Sequence, residues 1–330
     1  MDTVFIKRII LFTLFIFTIH NSYSQFATIV DIENIENANM KAKMDKNLSK
    51  LLTEFNNAFV NGTVPSLEGI EMTKDAKSSI FAIWETSPFR CKETEIIDGI
   101  LKLRSGDMEL RNVRLFFKEA DPSDKNQEGV IVFTKTGIID NLYLAIETKH
   151  WKKVMEEGNG VSDLRRREII LNFVENFRTA YNRKDADFLG KVFSDDALII
   201  TGKVIKVKVM NVDMMSQNIP QEKIVYNKQT KSEYLSSMRK IFAANSYINI
   251  KFDELQVQQH KKFPDYYGVT IKQYWNTSKY SDVGYVFILI DFSNEDNPLI
   301  HVRTWQPDKI NGKEISKDEV FNIGSFGKLR

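Results

Sequence analysis

The chain has 330 residues, of which 42% are hydrophobic and 27% are charged, a composition typical of a globular protein. Its formal net charge of +2 gives no overall attraction to nucleic acid or anionic membranes, and its length is enough for two domains of ordinary size. The single cysteine, Cys91, excludes an internal disulfide framework. We expect Cys91 to be a small buried apolar group; a bridge to another molecule is the alternative.

The first 24 residues have the pattern of a secretory signal peptide. Lys7 and Arg8 give a positively charged start, residues 9–19 form an apolar core, and Ser22 and Ser24 are small residues at its end. This core is shorter than the roughly 20 residues that a membrane-spanning helix needs. We therefore predict cleavage after Ser24 and an exported chain, periplasmic or secreted, without a transmembrane segment. An uncleaved membrane anchor is the alternative.

The first half of the mature chain has an α+β pattern. Residues 25–39 are polar and are predicted to be a loose leader, and residues 40–157 are predicted to form the first domain. An apolar stripe at helical spacing over residues 48–59 predicts one helix, and Thr73 is a candidate N-cap for another. Four strand-like runs follow, at residues 95–103, 110–118, 129–135 and 138–147. Helices followed by an antiparallel meander are typical of an α+β domain.

The second domain is predicted to span residues 161–307, followed by a C-terminal tail at residues 308–330. Its first 40 residues predict a long amphipathic helix with Ser162 as N-cap, a short helix capped by Asp185, and a strand at residues 197–200 that Gly202 ends. The apolar stripe of the long helix comprises Ile170, Phe173, Val174, Phe177 and Tyr181.

The rest of the second domain alternates strand and helix signals. A strand is predicted at residues 204–210, an insertion at residues 211–228, and a helix with Ser232 as its N-cap. Four further strands are predicted at residues 248–257, 267–275, 284–291 and 299–306. The resulting order of elements is α-α-β-β-α-β-β-β-β.

Two short segments point to a known superfamily. Residues 177–185, Phe-Arg-Thr-Ala-Tyr-Asn-Arg-Lys-Asp, and residues 193–197, Phe-Ser-Asp-Asp-Ala, resemble the NTF2-like (SnoaL and ketosteroid isomerase-like) proteins, as does the element order of the second half. The first half resembles an abbreviated unit of the same kind. The resemblance implies an α+β fold of two cone-shaped domains, each with helices packed on a curved antiparallel sheet. Family members use the cone for isomerisation, dehydration, cyclisation or ligand binding, and the fold alone does not choose among these.

The motif that this family uses for proton transfer is incomplete here. In the ketosteroid isomerase-like members, the catalytic Asp lies five residues after the second Asp of the motif, which corresponds to Thr201. Threonine is no general base at neutral pH. Asp195 and Asp196 are adjacent on a strand and therefore point in opposite directions. We predict no catalytic residue, and the sequence has no metal-ligand spacing, P-loop or dinucleotide motif, so no metal or cofactor is predicted.

The last strand carries the most distinctive side chains. Strand alternation places His301, Arg303 and Trp305 on one face, and the neighbouring strands add further polar and aromatic residues. The candidate ligand-binding pocket consists of Tyr181, Gln273, Trp275, Tyr285, His301, Arg303 and Trp305. If this face lines the cone, the pocket is basic and aromatic and suits an acidic or ring-bearing ligand. If it faces outward, it is a partner-docking or inter-domain surface.

Three functions are consistent with these observations. The favoured one is an exported, non-enzymatic protein that binds a small molecule, a glycan or a protein partner; nucleic acid is not expected, because no basic groove accompanies the aromatic residues. The second is a periplasmic acid–base enzyme of the SnoaL type, an isomerase, hydrolase or dehydratase, with its site in the second domain and His301 or Asp291 as the base. The third is a structural or assembly protein.

Overall fold

A computed structural model describes six segments of the chain, residues 26–103, 106–119, 125–146, 148–157, 163–207 and 221–326. The predicted signal peptide lies outside the described residues. Within them, no helix combines the length and apolarity that crossing a membrane requires. The hydrophobic residues form two large cores, one in each half of the chain, so we call residues 26–146 the first unit and residues 163–326 the second unit.

The first unit combines helices with antiparallel strands. Its elements are β1 (Ile29–Glu33), α1 (Ala38–Asn61), α2 (Lys74–Thr86), β2 (Phe89–Cys91), β3 (Glu95–Gly99), β4 (Leu101–Lys102), β5 (Met108–Phe117), β6 (Asn126–Phe133) and β7 (Ile139–Leu144). One sheet has the order β2-β5-β6-β7, with β4 on β5, and β1 and β3 form a separate parallel pair. The polar segment predicted as a loose leader therefore contains a paired strand.

Local signals define the helix that carries the first core. The Asn37 side chain accepts a hydrogen bond from the Met40 N–H (3.0 Å) at the start of α1, and Gly62 ends it with the left-handed φ of 65° that glycine adopts without strain. Its apolar stripe packs on the sheet, where Phe55 stacks on Phe89 with ring centroids 4.9 Å apart. Cys91 is buried in the same core, as predicted.

The helix α3 (Thr148–Glu157) leads to the second unit. That unit contains α4 (Leu164–Asn182), α5 (Ala186–Val192), β8 (Phe193–Val207), β9 (Gln221–Gln229), α6 (Lys231–Ala244), β10 (Ile248–Gln259), β11 (Tyr266–Thr277), β12 (Ser281–Asp291) and β13 (Leu299–Pro307). The sheet order is β10-β11-β12-β13-β8-β9, antiparallel except between β13 and β8. The order of elements is the predicted one, and the predicted α+β class is confirmed, with helices packed on curled sheets.

The second strand of this unit was predicted at the wrong place. The runs predicted as strands at 197–200 and 204–210 belong to a single strand, β8, which continues through Gly202; residues 208–220 lie outside the described residues. The second strand is β9, inside the predicted insertion. A Cβ at Gly202 would lie 3.1–3.2 Å from Ile224, Tyr226 and the Trp305 carbonyl, so this glycine allows close packing rather than ending the strand. The N-caps also differ, since Asp163 caps α4 and Thr230 caps α6.

The two faces of the six-stranded sheet have different neighbours. The inner face packs on α4, α5 and α6 and forms most of the second core, with Val286, Ile288 and Ile290 of β12 pointing inward. The outer face carries Phe287 and Leu289, which the C-terminal segment covers with Phe321, Ile323 and Phe326. This segment contains β14 (Lys309–Ile310), β15 (Lys313–Glu314) and two short 3₁₀ turns.

The helix α4 also holds the two units together. Its Thr179 hydroxyl accepts a hydrogen bond from the Leu144 N–H (3.1 Å) at the edge of the first sheet, and Glu175 accepts one from the Ile146 N–H (2.8 Å). Arg178 donates to the Ile250 carbonyl of the second sheet (2.7 Å) and to the Ala145 carbonyl of the first unit. The polar side of one helix thus satisfies backbone groups at the edges of both sheets.

A buried cluster of ionisable side chains lies at this junction. Arg111 of β5 donates to both carboxylate oxygens of Glu175, at 2.6 and 3.2 Å, and to Glu109 at 3.1 Å. Tyr143 donates to the other oxygen of Glu109. Burial raises the pKa of Glu175, and the positive charge of Arg111 opposes this shift. Burial and then the charge of Glu109 raise the pKa of Tyr143 well above its usual range.

Replacing Arg111 should therefore destabilise the whole molecule. Arg111→Met leaves Glu109 and Glu175 buried without a cation, which is expected to cost about 3–5 kcal/mol in the free energy of unfolding. The loss should be smaller in acid, where the Glu175 carboxyl, whose pKa burial raises, takes up a proton. Urea denaturation measures both effects. Arg165 provides the control: its side chain is 51% exposed and its partner Glu295 keeps a second ion pair with Arg166, so Arg165→Met should cost less than about 1 kcal/mol. Equal losses in both variants would contradict this account of the junction.

Candidate functional site

The second unit contains a cavity between its sheet and the helix α6. Its volume is about 260 Å³, and it is bounded by strands β8, β9, β11, β12 and β13 together with one side of α6. The lining side chains that bear on its chemistry are Thr201, Tyr234, Gln273, Trp275, Tyr280, Asp282, Arg303 and Trp305. Four of the seven predicted pocket residues, Gln273, Trp275, Arg303 and Trp305, therefore lie together in its wall.

A β-bulge removes His301 from this wall. In the pairing of β13 with β12, Val302 is opposite Leu289 and Ile300 is opposite Ile290. Since Leu289 and Ile290 are adjacent, His301 is an extra residue with no partner on β12. The bulge shifts the alternation by one residue: Ile300 belongs to the inner core and Val302 to the outer cluster, while Arg303 and Trp305 face the cavity. The prediction that all three side chains share a face is wrong for His301, because strict alternation does not hold across a bulge.

His301 and Tyr285 lie on the outer face. His301 Nδ1 is 3.8 Å from an Asp196 oxygen and its Nε2 is 3.7 Å from an Asp291 oxygen, and its ring packs on Tyr266. Tyr285 lines a different depression, beneath the C-terminal segment. Neither side chain reaches the cavity, and Asp291, predicted as an alternative base, is on the outer face as well.

Arg303 is the dominant charge in the cavity wall. Only 4% of this residue is exposed, and its guanidinium lies over the Tyr234 ring at 5.1 Å. It forms no ion pair within 4.0 Å among the described residues, and its Nε has no hydrogen-bond partner there. Although burial lowers the pKa of Arg303, the neighbouring Tyr234, Tyr181 and Asp282 raise it above its usual value, so the group stays charged.

The remaining predicted residues surround this guanidinium. Tyr181 is fully buried behind the wall, where its hydroxyl lies 2.7 Å from that of Tyr234 and its ring packs edge-on against Trp275 at 5.9 Å. The indole N–H of Trp275 has no acceptor among the described residues. The site therefore presents two unsatisfied donors, Arg303 Nε and Trp275 Nε1, which is the arrangement expected to receive an acceptor-bearing ligand or ordered water.

Trp305 depends on a glycine of the neighbouring strand. A Cβ at Gly284 would lie 2.8 Å from two atoms of the Trp305 ring, closer than any real contact of this kind. Only glycine leaves room for the indole to lie across β12. The alternation that predicted Trp305 gave no indication of this requirement, because it involves a residue on another strand.

Asp282 is a functional candidate that the sequence-based prediction missed. Burial raises the pKa of its carboxyl from 3.8 to about 6, and the charge of Arg303 partly opposes this shift. Its Oδ1 is buried without a hydrogen-bond partner among the described residues. Asp282 continues the inward alternation of Val286 and Gly284 along β12. A carboxylate in phase with core-facing residues is the signal that would have identified it.

Further positions singled out in the sequence lie on β8. Thr201 lines the cavity, but its side chain cannot act as a base at neutral pH. Asp195 and Asp196 point in opposite directions, as predicted, towards Lys231 and Ser194 respectively. Among the described residues, no group of three or more His, Cys, Asp and Glu side chains is arranged to hold a metal ion.

Comparison with known proteins gives distant structural matches alone. No protein-family model and no curated protein matches the sequence. The matched solved structures include an NTF2-like protein from Cytophaga hutchinsonii, with 11% identity, coverage of 43% of this chain and 98% of that chain, and a TM-score of 0.31. A member of the NTF2-like family from Streptomyces avermitilis matches with 14% identity, 42% and 95% coverage, and a TM-score of 0.30.

Another matched structure is Bd1075 from Bdellovibrio bacteriovorus, with 16% identity, coverage of 52% of this chain, and a TM-score of 0.33. The match covers 46% of that protein, so this chain spans about half of its length. Several of the matched structures are described as NTF2-like, the superfamily that the sequence resembles.

The raised pKa of Asp282 predicts a specific dependence of stability on pH. Because its folded pKa of about 6 exceeds the value of 3.8 expected when unfolded, its contribution to stability is complete below about pH 4 and is lost as the pH rises to about 6. Asp282→Asn removes this dependence. As the pH rises over the same interval, the free energy of unfolding of the variant should increase relative to that of the wild type, by at most about 3 kcal/mol. Urea denaturation of both proteins between pH 4 and 8 measures the difference. A constant difference over this range would show that the carboxyl titrates normally.

Proposed function

We propose that this protein is an exported binder of a small, ring-bearing organic acid, held in the cavity of the second unit. The observation that carries the proposal is the buried guanidinium of Arg303, which has no carboxylate partner within 4.0 Å among the described residues. The Asp282 carboxylate acts on Arg303 from the same wall but makes no direct ion pair with it, so an anionic ligand can supply the close partner that this buried charge lacks. A cavity of about 260 Å³ suits a small molecule better than a glycan or a protein segment.

The dimensions and walls of the cavity favour a ligand with one or two rings. A volume of about 260 Å³ is at the small end for ligand sites. Trp275, Trp305 and Tyr234 offer aromatic surfaces, and the Trp275 N–H offers a second donor for a carboxylate. A structural or assembly role does not require an open cavity, because a cone filled by side chains would be sufficient for it. The open cavity with unsatisfied donors therefore favours ligand binding over that role.

Phenylpyruvate, an aromatic 2-oxo acid, is a suitable probe for this proposal. Arg303→Met should weaken its binding by about tenfold or more, because a hydrogen bond to a charged group contributes about 1.5–3 kcal/mol. Trp275→Phe, which keeps a ring and removes the N–H, should weaken it by a few-fold. Isothermal titration calorimetry measures both. Tyr285→Phe and His301→Gln on the outer face are matched controls and should bind normally; equal losses in all four variants would rule out the cavity.

Asp282 favours acid–base catalysis as a second candidate function. A carboxyl with a pKa of about 6 is mostly ionised at neutral pH yet is a stronger base than an ordinary aspartate. It lies in the same cavity as Arg303, which is suited to stabilise the negative charge left on a substrate after a proton is removed from carbon. Asp282 thus replaces His301 and Asp291 as the base in the SnoaL-type alternative.

Deuterium exchange separates the two candidates with the same probe. Under the catalytic alternative, the wild type accelerates incorporation of deuterium at the CH₂ group of phenylpyruvate in D₂O, followed by proton NMR, and Asp282→Asn abolishes the acceleration. Asp291→Asn, on the outer face, retains it. Binding without acceleration in the wild type leaves the protein as a binder alone.

Export is part of the proposal and rests on the pattern of residues 1–24. We expect protein recovered from the periplasm or medium of an expressing bacterium to begin at Gln25. Intact-mass spectrometry of the purified chain measures this directly. A mass that includes Met1 would favour the uncleaved anchor.

A further inference from the structure

A second binding site is suggested by a groove in the first unit, far in sequence from the cavity just described. The groove lies where α1 ends: the chain turns away at Gly62, and α2 leaves an opening of about 760 Å³ between the two helices and the sheet. Its apolar walls are formed mainly by Phe59, Val64, Phe81 and Trp84. We call this opening the helix-end groove.

The apolar side chains of the groove reach the protein surface. Val64, at the rim, is 75% exposed, and Val60, the second-last residue of α1, is 43% exposed beside it. Phe81 packs only partly against the first core. Large apolar groups that stay exposed beside an apolar depression are typical of a binding surface.

Positive charges lie at one end of the groove. Lys118 lines the groove. Its backbone N–H donates a hydrogen bond to the Pro88 carbonyl (2.8 Å), and this bond extends the pairing of β2 with β5, in which Arg90 is opposite Phe116. Because side chains two residues apart point to the same face, Lys118 and Phe116 share a side with Arg90. The Arg90 guanidinium lies 5.3 Å from the centre of the Phe59 ring, which is itself part of the groove wall.

These cations lack negative partners among the described residues. The Arg90 Nε is buried and has no hydrogen-bond partner there, and neither Arg90 nor Lys118 forms an ion pair there. Lys77 lines the groove from α2, and Glu85 is the one acidic side chain in its wall. Lys118 therefore offers a positive charge in the groove wall, and Arg90 adds a second one beside Phe59, next to the apolar channel.

We propose that the helix-end groove binds a single-chain anionic amphiphile, a long-chain carboxylate. Its head group contacts Arg90 and Lys118, and its acyl chain runs past Phe59 towards Phe81 and Val64. This ligand matches both features of the site, since a charged end alone would suit any anion and an apolar channel alone would suit any hydrocarbon. The proposal does not depend on the function proposed for the second unit.

Titration with laurate tests the proposal on the full-length mature chain. Laurate should bind at least about tenfold more tightly than 1-dodecanol, which has the same chain without the charge. Lys118→Gln should remove most of that difference. Val64→Glu, which places a negative charge at the exposed rim, should weaken laurate binding by about tenfold or more. Val225→Glu is the matched control, because Val225 is a 43% exposed valine on β9, and it should bind laurate normally.

Three outcomes would overturn the proposal. Equal affinity for laurate and dodecanol would remove the role of the cations. Loss of laurate binding in Arg303→Met but not in Val64→Glu would assign the ligand to the cavity of the second unit. Flotation with phosphatidylglycerol vesicles, abolished by Val64→Glu while free laurate does not bind, would identify a membrane surface as the partner instead.

Discussion

The polar side of α4 is the constraint on which the rest of the structure depends. Glu175 and Thr179 accept hydrogen bonds from the edge of the first sheet, and Arg178 donates to both units. The opposite side of the same helix carries Phe173 and Phe177 into the second core. A single helix thus provides the apolar surface of one unit and the edge protection of the other, which is why its buried residues include charged ones.

The chemistry of the cavity follows from the position of that core. Packing of α4 and α6 against the inner face fills most of the curved sheet and leaves space at one end, around Arg303. The buried part of the wall contains Arg303 and Trp275, and an unsatisfied donor has a large effect there because the local dielectric constant is low. The same burial that makes Arg303 suitable for an anion raises the pKa of Asp282, because both groups lose hydration together.

Much of this architecture could be predicted from periodicity. The apolar stripe of α4, the cap at Asp185 and the inward phase of Trp275 all follow from residues that are close in sequence. The strand β9 could not be predicted in this way, because it lies at the edge of the sheet and most of its side chains are exposed on both faces. Alternation, the usual signal of a strand, requires one buried face.

The errors in the predicted site have a related cause. Strand alternation groups His301 with the cavity residues because it describes one strand by itself, whereas a bulge is a mismatch in residue count between two paired strands. Asp282 was missed because its significance depends on desolvation and on Arg303, which belongs to another strand. The Arg111 and Glu175 pair likewise joins residues 64 positions apart. Periodicity describes the orientation of a side chain but not its partners.

The bulge at His301 fixes which side chains at the end of β13 face the cavity. Beyond it, every second side chain faces the cavity, and the identity of each can change without altering which positions do so. A change in the number of residues beyond the bulge would have a different effect, because removal of one residue there exchanges the inward and outward sets, whereas removal of His301 itself restores continuous alternation and keeps them. Variation in this wall among related chains should therefore occur by substitution at constant length, with insertions and deletions confined to the turns at either end of the strand.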